Sequence, residues 1–459
     1  MAVSIDQRPL YKTLPIGQQV LFAVSEPTIV ATKFKVKFIA EVHVSNSPIN
    51  LSTADDVIGT FKTIPNNSGA GIFDLRPILE TFVTPDNEPS STANATYKGI
   101  PYSISTFPIH LIDQFTLSDN SIKYFAVQFK IEYADTATGA VGDPSNADNS
   151  VQYTIFNGVL QYDDVLTKSL FGNDYGYNLD EFYLDDSSAK FLSNAPTTQS
   201  ARLIDYGTFP FFNFHPSSSD KVLSITLKYY DSSGSLLDQE SVLNITSNGG
   251  VSSAGDSNTM INYFGAFPAN LDGWSSKWDT HKNDISYYTI QDGNGDSSLY
   301  RINILCPNLK GYEGIRLTWL NQWGTWDYYT FTMKSTRSIN TKRISYTQLS
   351  GTWNESTFKI SGHKGGKKNF RVNSTEKIKL NTDFVTEAEG VWFEELINST
   401  EVYIVNGFSE DTSNTITNKY IESVVLTTSS YVKKTIANDK LMQYTFEIEK
   451  SKMERTQSV

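Results

Sequence analysis

The chain has 459 residues, 39% hydrophobic and 13% aromatic. That is ample for packed cores and too long for one ordinary core, so about two to four domains are expected. Its 38 basic and 50 acidic residues give a formal charge of −12, which argues against nucleic acid, a partner bound by neutralising phosphates with Lys and Arg. No apolar run reaches membrane-spanning length, and MAVSIDQRPLYKTLPIG lacks the basic and apolar regions of a signal peptide, so synthesis in a cytoplasm without export by the usual route is expected.

Residues 32–44, TKFKVKFIAEVHV, alternate with a period of two. Phe34, Val36, Phe38, Ala40, Val42 and Val44 share the face expected to be buried, and His43 falls on the polar face, expected to meet solvent. AGIFDLRPILETFV (70–83) reads as a strand running into a short helix, with Asp74 able to cap it and Pro77 tolerable in the first turn. Thr84–Pro101 reads as a long polar loop. Ile122–Tyr133 and Val151–Tyr162 read as further strands. Long strands joined by long polar loops predict an N-terminal β-sandwich domain over residues 1–165. Residues 166–200, with aromatics among Asp, Asn and Gly, are expected to form an extended connector.

A central aromatic-rich β domain is predicted over residues 201–335. Leu223, Ile225, Leu227 and Tyr229 would share one strand face, followed by a turn at Asp231–Gly234. Residues 245–259 read as a Gly/Ser-rich loop, and Ile285–Gln291 with Leu299–Cys306 as a hairpin. Arg316–Met333, RLTWLNQWGTWDYYTFTM, is expected to be the hairpin that closes the central sheet, turning at Asn321–Gly324. Five of the seven tryptophans lie between Trp274 and Trp326, so this hairpin is the expected core anchor. Trp323 is the exception: the turn would expose it, which makes it the expected contact residue.

The third predicted domain, 336–459, is α+β. Trp353–Ser361 and Phe370–Leu380 are expected strands around a basic Gly-rich turn. Thr386–Glu389 has capping-box spacing, and the helix after it would run to about Asn398, with Trp392, Phe393, Leu396 and Ile397 on one stripe. Strands are expected at Val402–Val405, Val424–Thr427 and Tyr444–Ile448, with a charged tail from Lys450. The fold class is therefore mainly β and multi-domain, with β-sandwich-like domains and a C-terminal α+β domain carrying one capped helix.

Residues that could carry chemistry were weighed against plain structural roles. The lone Cys306 alternates with Tyr300, Ile302 and Ile304 and reads as a buried thiol; one cysteine allows no intrachain disulfide. Asp292-Gly-Asn294-Gly-Asp296 begins like a calcium loop, but Ser297 and Asn303 stand where glycine and glutamate are wanted, so it reads as a hairpin turn. His43, His110, His215, His281 and His363 show no metal-ligand spacing. Gly362–Lys368 lacks phosphate-loop spacing and reads as a solvated hairpin tip, whose charge could still match an acidic neighbour in an assembly. No nucleophile elbow is present, and the paired carboxylates of a glycosidase cannot be recognised in linear sequence. The N-x-S/T triplets at Asn94, Asn244, Asn354, Asn373 and Asn398 carry little weight without a secretion signal. No catalytic, cofactor-binding or metal-binding residue is assigned.

Several segments together resemble virion proteins of tailed bacteriophages, in particular minor tail or tail-tip proteins. IRLTWLNQWGTWDYYTF is similar to a recurrent LTWLN-x-x-G-x-WDYFTF-like motif of that group, and LYRINILC stands before it as a strand does there. AKFLSNAPTT resembles a FLTNxPR-like connector. DFVTEAEGVWFEELINSTEVYIV resembles a capped helix leading to a strand, and NDKLMQYTFEIEKS a closing strand pair; FKVKFIAEVHV and GIFDLRPILE also fit. In NQWGTWD the group more often has a smaller residue and a second glycine in place of Trp323 and Thr325.

The resemblance implies a non-enzymatic structural component of the virion, assembled in the host cytoplasm and placed at or near the tail tip or baseplate. It implies no cofactor, and as partners other tail and virion proteins in a homo-oligomeric ring. The alternative weighed beside it is a tail protein that binds or degrades a host surface glycan through exposed aromatics and paired carboxylates.

Overall fold

A computed structural model describes residues 3–51, 57–87, 115–118, 120–161, 164, 179–183, 189–214, 224–241, 257–272, 275–293, 295, 297–305, 311–406, 421–432 and 442–455. The chain is mainly β and divides into two compact units. The first comprises residues 1–307, 320–328 and 407–417; the second comprises 308–319, 329–406 and 418–459.

Among the described residues the first unit is built from four sheets. β1 (Ser4–Gln7), β3 (Leu21–Ser25) and β6 (Ala70–Asp74) form a three-stranded sheet in that order. A larger sheet runs β2 (Thr13–Pro15), β10 (Tyr153–Phe156), β8 (Ile122–Ala134), β4 (Phe34–Ser45), β5 (Val57–Thr63), with β9 (Ser145–Asn149) also on β8. Val20, Phe22 and Val24 of the first sheet region share one core with Phe38, Ala40 and Val42 of β4 and Phe125, Val127, Phe129 and Ile131 of β8. Phe22 meets Phe129 at 5.3 Å and Tyr153 edge-on at 5.8 Å, geometries in which ring edges and faces attract. The short helix takes Leu75 as its N-cap with no side-chain cap bond, a correction to the expected cap at Asp74. Asp74 Oδ1 accepts from Val20 N (3.3 Å) and Arg76 N (3.1 Å), tying the strand end to the turn that starts the short helix Arg76–Leu79.

Two expectations for β4 need correction. Phe34 is exposed, because Lys35 adopts a positive φ of 55° and the register with β8 shifts between Phe34 and Lys37. One irregular residue moves everything before it to the other face. His43 is buried, at 3% exposure. β4 is an interior strand, with His43 opposite Ala126 on one side and Val57 on the other, and the turn Ser257–Thr259 reaches this region through Ser257 N to Asn46 O (2.7 Å). The polar face of β4 is thus open to solvent at Lys37 and closed at His43.

The remaining two sheets draw on distant segments. One runs β11 (Thr198–Ala201), β17 (Tyr300–Ile304), β16 (Tyr287–Asp292), β13 (Ile225–Tyr230), β14 (Leu236–Ser241). Here Ile225, Leu227 and Tyr229 are buried as expected, and Asp231 Oδ1 closes the turn to β14 by accepting from Ser233 N and Ser235 N. The other runs β12 (Phe209–Phe212), β15 (Ile261–Phe264), β7 (Phe115–Leu117). Phe209 stacks on Phe267 at 4.9 Å and on Phe264 at 5.5 Å, so the aromatic wealth of this region is spent on packing. Leu223, the 84–101 loop beyond residue 87, the 245–259 loop before residue 257, and most of the 166–200 connector lie outside the described residues.

The second unit is organised by a seven-stranded sheet. Its order is β19 (Trp326–Phe331), β18 (Ile315–Leu320), β22 (Val402–Val405), β23 (Ile421–Leu426), β24 (Thr445–Lys450), β21 (Gly366–Asn381), β20 (Thr336–Gln348). The Arg316–Met333 hairpin thus does not close the central sheet. Its first arm pairs with β22, Leu317 opposite Ile404 and Trp319 opposite Val402. Sequence proximity suggested the wrong partner because nothing local encodes which strand a hairpin will meet.

The helix Glu387–Asn398 packs on this sheet as its stripe requires. Thr386 Oγ1 accepts from Glu389 N (3.3 Å), and Glu389 Oε2 accepts from Thr386 N (2.8 Å), the reciprocal box the spacing predicted. Trp392 meets Trp319 at 4.9 Å and Phe393 meets Phe446 at 5.5 Å. Tyr444, Phe446 and Ile448 are buried as expected.

Candidate functional site

Two regions compete for attention: the aromatic hairpin tip that the sequence singled out, and a long ribbon of which it marked the basic Gly362–Lys368 turn and the strand Phe370–Leu380. In the first unit the tip 320–328 is a buried polar lock. Asn321 Oδ1 accepts from Trp323 N (3.0 Å) and Thr325 N (3.1 Å), which shapes the turn, and Gly324 takes φ +72°. Asn321 Nδ2 donates to Leu192 O and to Asp327 Oδ1, both at 3.0 Å. Thr325 Oγ1 donates to Leu192 O (2.7 Å), and Ser193 Oγ donates to Asp327 Oδ1 (2.6 Å). The FLSNA connector at 191–195 and the hairpin tip, two segments quoted separately for the family resemblance, therefore hold each other.

Trp323 corrects the sequence reading. It is 1% exposed, its ring 4.7 Å from Phe182 and its Nε1 donating to Asn194 Oδ1 at 3.1 Å. A turn residue is exposed only if nothing else folds over the turn, and here Phe182 and Asn194 do. Trp326 Nε1 donates to the backbone oxygen of Asp86 (2.8 Å). Asp86 itself is buried and accepts from Ser121 Oγ and Tyr263 OH (2.9 Å); burial, with the Asp86 charge adding to it, pushes the Tyr263 hydroxyl well above the usual tyrosine range. That phenol stays a donor.

These buried acids are structural. Asp86 and Asp327 are surrounded by donors, Asp205 is held by Arg202 at 2.8 Å, and Glu26 caps the helix Pro27–Thr32 through Ile29 N. Asp292 Oδ1 accepts from Ser297 N (2.6 Å), and Asp292 N donates to Ser297 Oγ (2.9 Å), so the DGNGDSS segment closes on itself as a turn. Asn294, Asp296, Cys306, His110, His215, Asn94 and Asn244 lie outside the described residues. Among the described residues no group of three His, Cys, Asp or Glu could hold a metal ion, and no helix is long and apolar enough to cross a membrane.

The ribbon formed by β20 and β21 is different in kind. β24 pairs with β21 only over Lys377–Asn381. From Ile339 opposite Glu376 to Gln348 opposite Gly366 the two strands continue with each other as their ladder partners, apart from an isolated bridge of Ser374 to Glu454. Trp353–Ser361 is not a strand. It is a tight terminal loop, closed by Thr352 N to Lys359 O (3.0 Å), Ser361 N to Ser350 O (3.1 Å) and an isolated bridge between Gly351 and Ile360. Three Ser and Thr residues and Asn354 in that stretch make local turn bonds more favourable than a ladder.

Two properties set the ribbon apart. Eight of the 26 exposed large hydrophobics among the described residues fall within 339–370, and Trp353 is 82% exposed. Isolated exposed apolar residues mean little, but a concentration of them marks an interface. Residues 336–381 also hold ten Lys or Arg against two Asp or Glu, a net +8, leaving 28 basic and 48 acidic residues elsewhere, a net −20. The root of the ribbon is braced by Glu376. Its side chain is mostly buried, which would raise its pKa, but hydrogen bonds from Arg337 (3.0 Å) and an ion pair with Lys450 (3.2 Å) outweigh burial and hold it below the ordinary carboxylate value. Lys342, Arg343, Lys367 and Arg371, further out, have no ion pair among the described residues.

No protein family matches the chain, and no curated protein matches it. Solved structures similar to it include the native conformation of alpha-2-macroglobulin from E. coli, 9% identical with a TM-score of 0.19, covering 82% of this chain and 22% of that one. Trypsin-activated alpha-2-macroglobulin from Escherichia coli is 8% identical with a TM-score of 0.19, covering 97% of this chain and 23% of that one. The chain therefore spans under a quarter of the length of those proteins, and likeness at this level identifies no shared fold.

Proposed function

We propose that this chain is a structural component of a bacteriophage virion, a tail protein at or near the tip or baseplate that acts through protein–protein contacts in a symmetric assembly. The supporting observation is the β20–β21 ribbon, which presents cations and large apolar side chains to solvent, while the buried Asp86, Asp205 and Asp327 are held by internal hydrogen bonds. A surface of that kind serves attachment. The family resemblance of the hairpin, connector and capped-helix segments supplies the viral context.

Peptide mapping of purified particles and imaging of the virion test the proposal, together with mass measurement of the isolated protein. A protein that stays strictly monomeric and is absent from the particles overturns it. One observation favours a second reading, a tail protein that binds a host surface glycan: Trp353 and Phe358 stand exposed at the ribbon's end, where a sugar could stack. On that reading Trp353→Ala abolishes binding on a glycan array, and Trp323, being buried, is the wrong residue to test.

A further inference from the structure

The two units carry opposite charge. The first contains 18 Lys or Arg and 36 Asp or Glu, a net −18; the second contains 20 and 14, a net +6. The positive charge of the second unit is concentrated in the ribbon. Resting on the assembly proposed above, we infer that copies of this chain associate head to tail, the basic ribbon of one copy docking on the acidic first unit of the next.

The ribbon has what such a contact requires. Among the described residues β20 ends the sheet order and its outer edge has no strand partner, and its 13 residues contain no proline. At about 3.3 Å per residue it offers an edge roughly 40 Å long. Edges of this length are usually shortened, bulged or covered, because they recruit other strands. A two-stranded ribbon is itself only marginally stable in water, and this one leaves Ile339, Ile344, Tyr346 and Phe370 exposed. A covering partner removes both liabilities.

Charge selects that partner. Pairing β20 with its own copy about a two-fold axis would bring together two strands that each carry Arg337, Lys342 and Arg343 and no acid. Like charges across a ladder are unfavourable, so the isologous dimer is opposed. The −18 first unit of a neighbouring copy is complementary. A head-to-tail contact leaves one ribbon and one acceptor free at each end, and so propagates into a ring or filament.

The test uses the full chain and the variant Lys342→Glu/Arg343→Glu/Lys367→Glu/Lys368→Glu, whose four positions are exposed or at the ribbon's outer part and form no internal ion pair among the described residues. Mass photometry over a dilution series is expected to show the native chain forming multimers. Their apparent dissociation constant should rise when salt is raised to about 0.5 M, which shortens the screening length below that at about 0.1 M. The variant should associate at least about a hundredfold more weakly, with an unchanged melting temperature. Carboxylate-to-lysine cross-linking of mixed light and heavy isotope-labelled copies should join ribbon lysines to first-unit acids of a different copy.

Multimers that persist unchanged in the variant overturn the inference while leaving the virion proposal standing. Absence from particles of a chain that self-associates through the ribbon does the reverse. A native chain that stays monomeric while its ribbon binds single-stranded DNA or an anionic polysaccharide overturns the inference in favour of a different polyanion.

Discussion

Replacing Asn321 by alanine removes the centre of the hairpin lock. Its Oδ1 is the acceptor for Trp323 N and Thr325 N, and its Nδ2 donates to Leu192 O and Asp327 Oδ1. Leu192 O keeps the Thr325 hydroxyl at 2.7 Å, and Asp327 keeps the Ser193 hydroxyl at 2.6 Å, so the acceptors are still served. The two amides are not. A buried donor left without a partner costs about 1–3 kcal/mol, and two of them, with one donor lost from a buried carboxylate, predict about 3–5 kcal/mol. Urea unfolding followed by tryptophan fluorescence reads this directly, because Trp323 and Trp326 flank the change. With a slope of about 3 kcal/mol per molar urea, the midpoint should fall by about 1–1.7 M. Asn321→Asp should not rescue it, since the acceptor returns but a second carboxylate then faces Asp327. A loss below about 1 kcal/mol would refute the reasoning and show that the tip is held by its apolar contacts alone.

The other predictions concern single positions. Gly324→Ala should prevent correct closure or cost more than about 3 kcal/mol in a thermal melt. A Cβ there would stand 1.7 Å from Asn157 O, on a backbone already at φ +72°. Thr386→Ala should cost about 1 kcal/mol in chemical denaturation, with Thr386→Ser largely neutral, because only the hydroxyl is needed for the box. Glu376→Gln should flatten the acid limb of the stability curve. The folded carboxylate titrates below its ordinary value of 4.5, so its contribution is present above that pH and is lost as the pH falls through the folded pKa. Melting temperatures of wild type and variant between about pH 6 and pH 3 should therefore converge at the acidic end.

The parts of the fold that were legible in the sequence are those governed by neighbours in the chain. The capped helix at Glu387–Asn398, the Asp231 turn, and the alternation of Ile225, Leu227 and Tyr229 depend on residues a few positions apart, and each stands where the pattern put it. The misreadings have a common cause: a distant segment decides. His43 is polar on a strand that alternates, yet it is buried at an interior ladder position between Val57 and the far more distant Ala126. Trp323 sits in a turn, yet Phe182 and Asn194, more than a hundred positions earlier, cover it. Phe34 was lost to a single irregular residue at Lys35 that periodicity cannot foresee. For the candidate site, the basic Gly362–Lys368 turn was recognised as a hairpin tip with charge to offer. The length of the ribbon behind it was not, because Thr336–Gln348 has neither strict alternation nor an apolar face. A strand without a buried side leaves no periodic trace, and only the surplus of Lys and Arg between 337 and 379 could have pointed to it.

The bond from the Trp326 indole to the Asp86 carbonyl joins positions 240 residues apart. A ribosome adding about 5–20 residues each second needs roughly 10–50 s to travel that distance. Throughout that interval the aromatic groups destined for the tip's pocket stay uncovered on the emerging polypeptide. Fragments ending before residue 328 should accordingly be sticky and rely on chaperones, and synthesis speed becomes a determinant of yield.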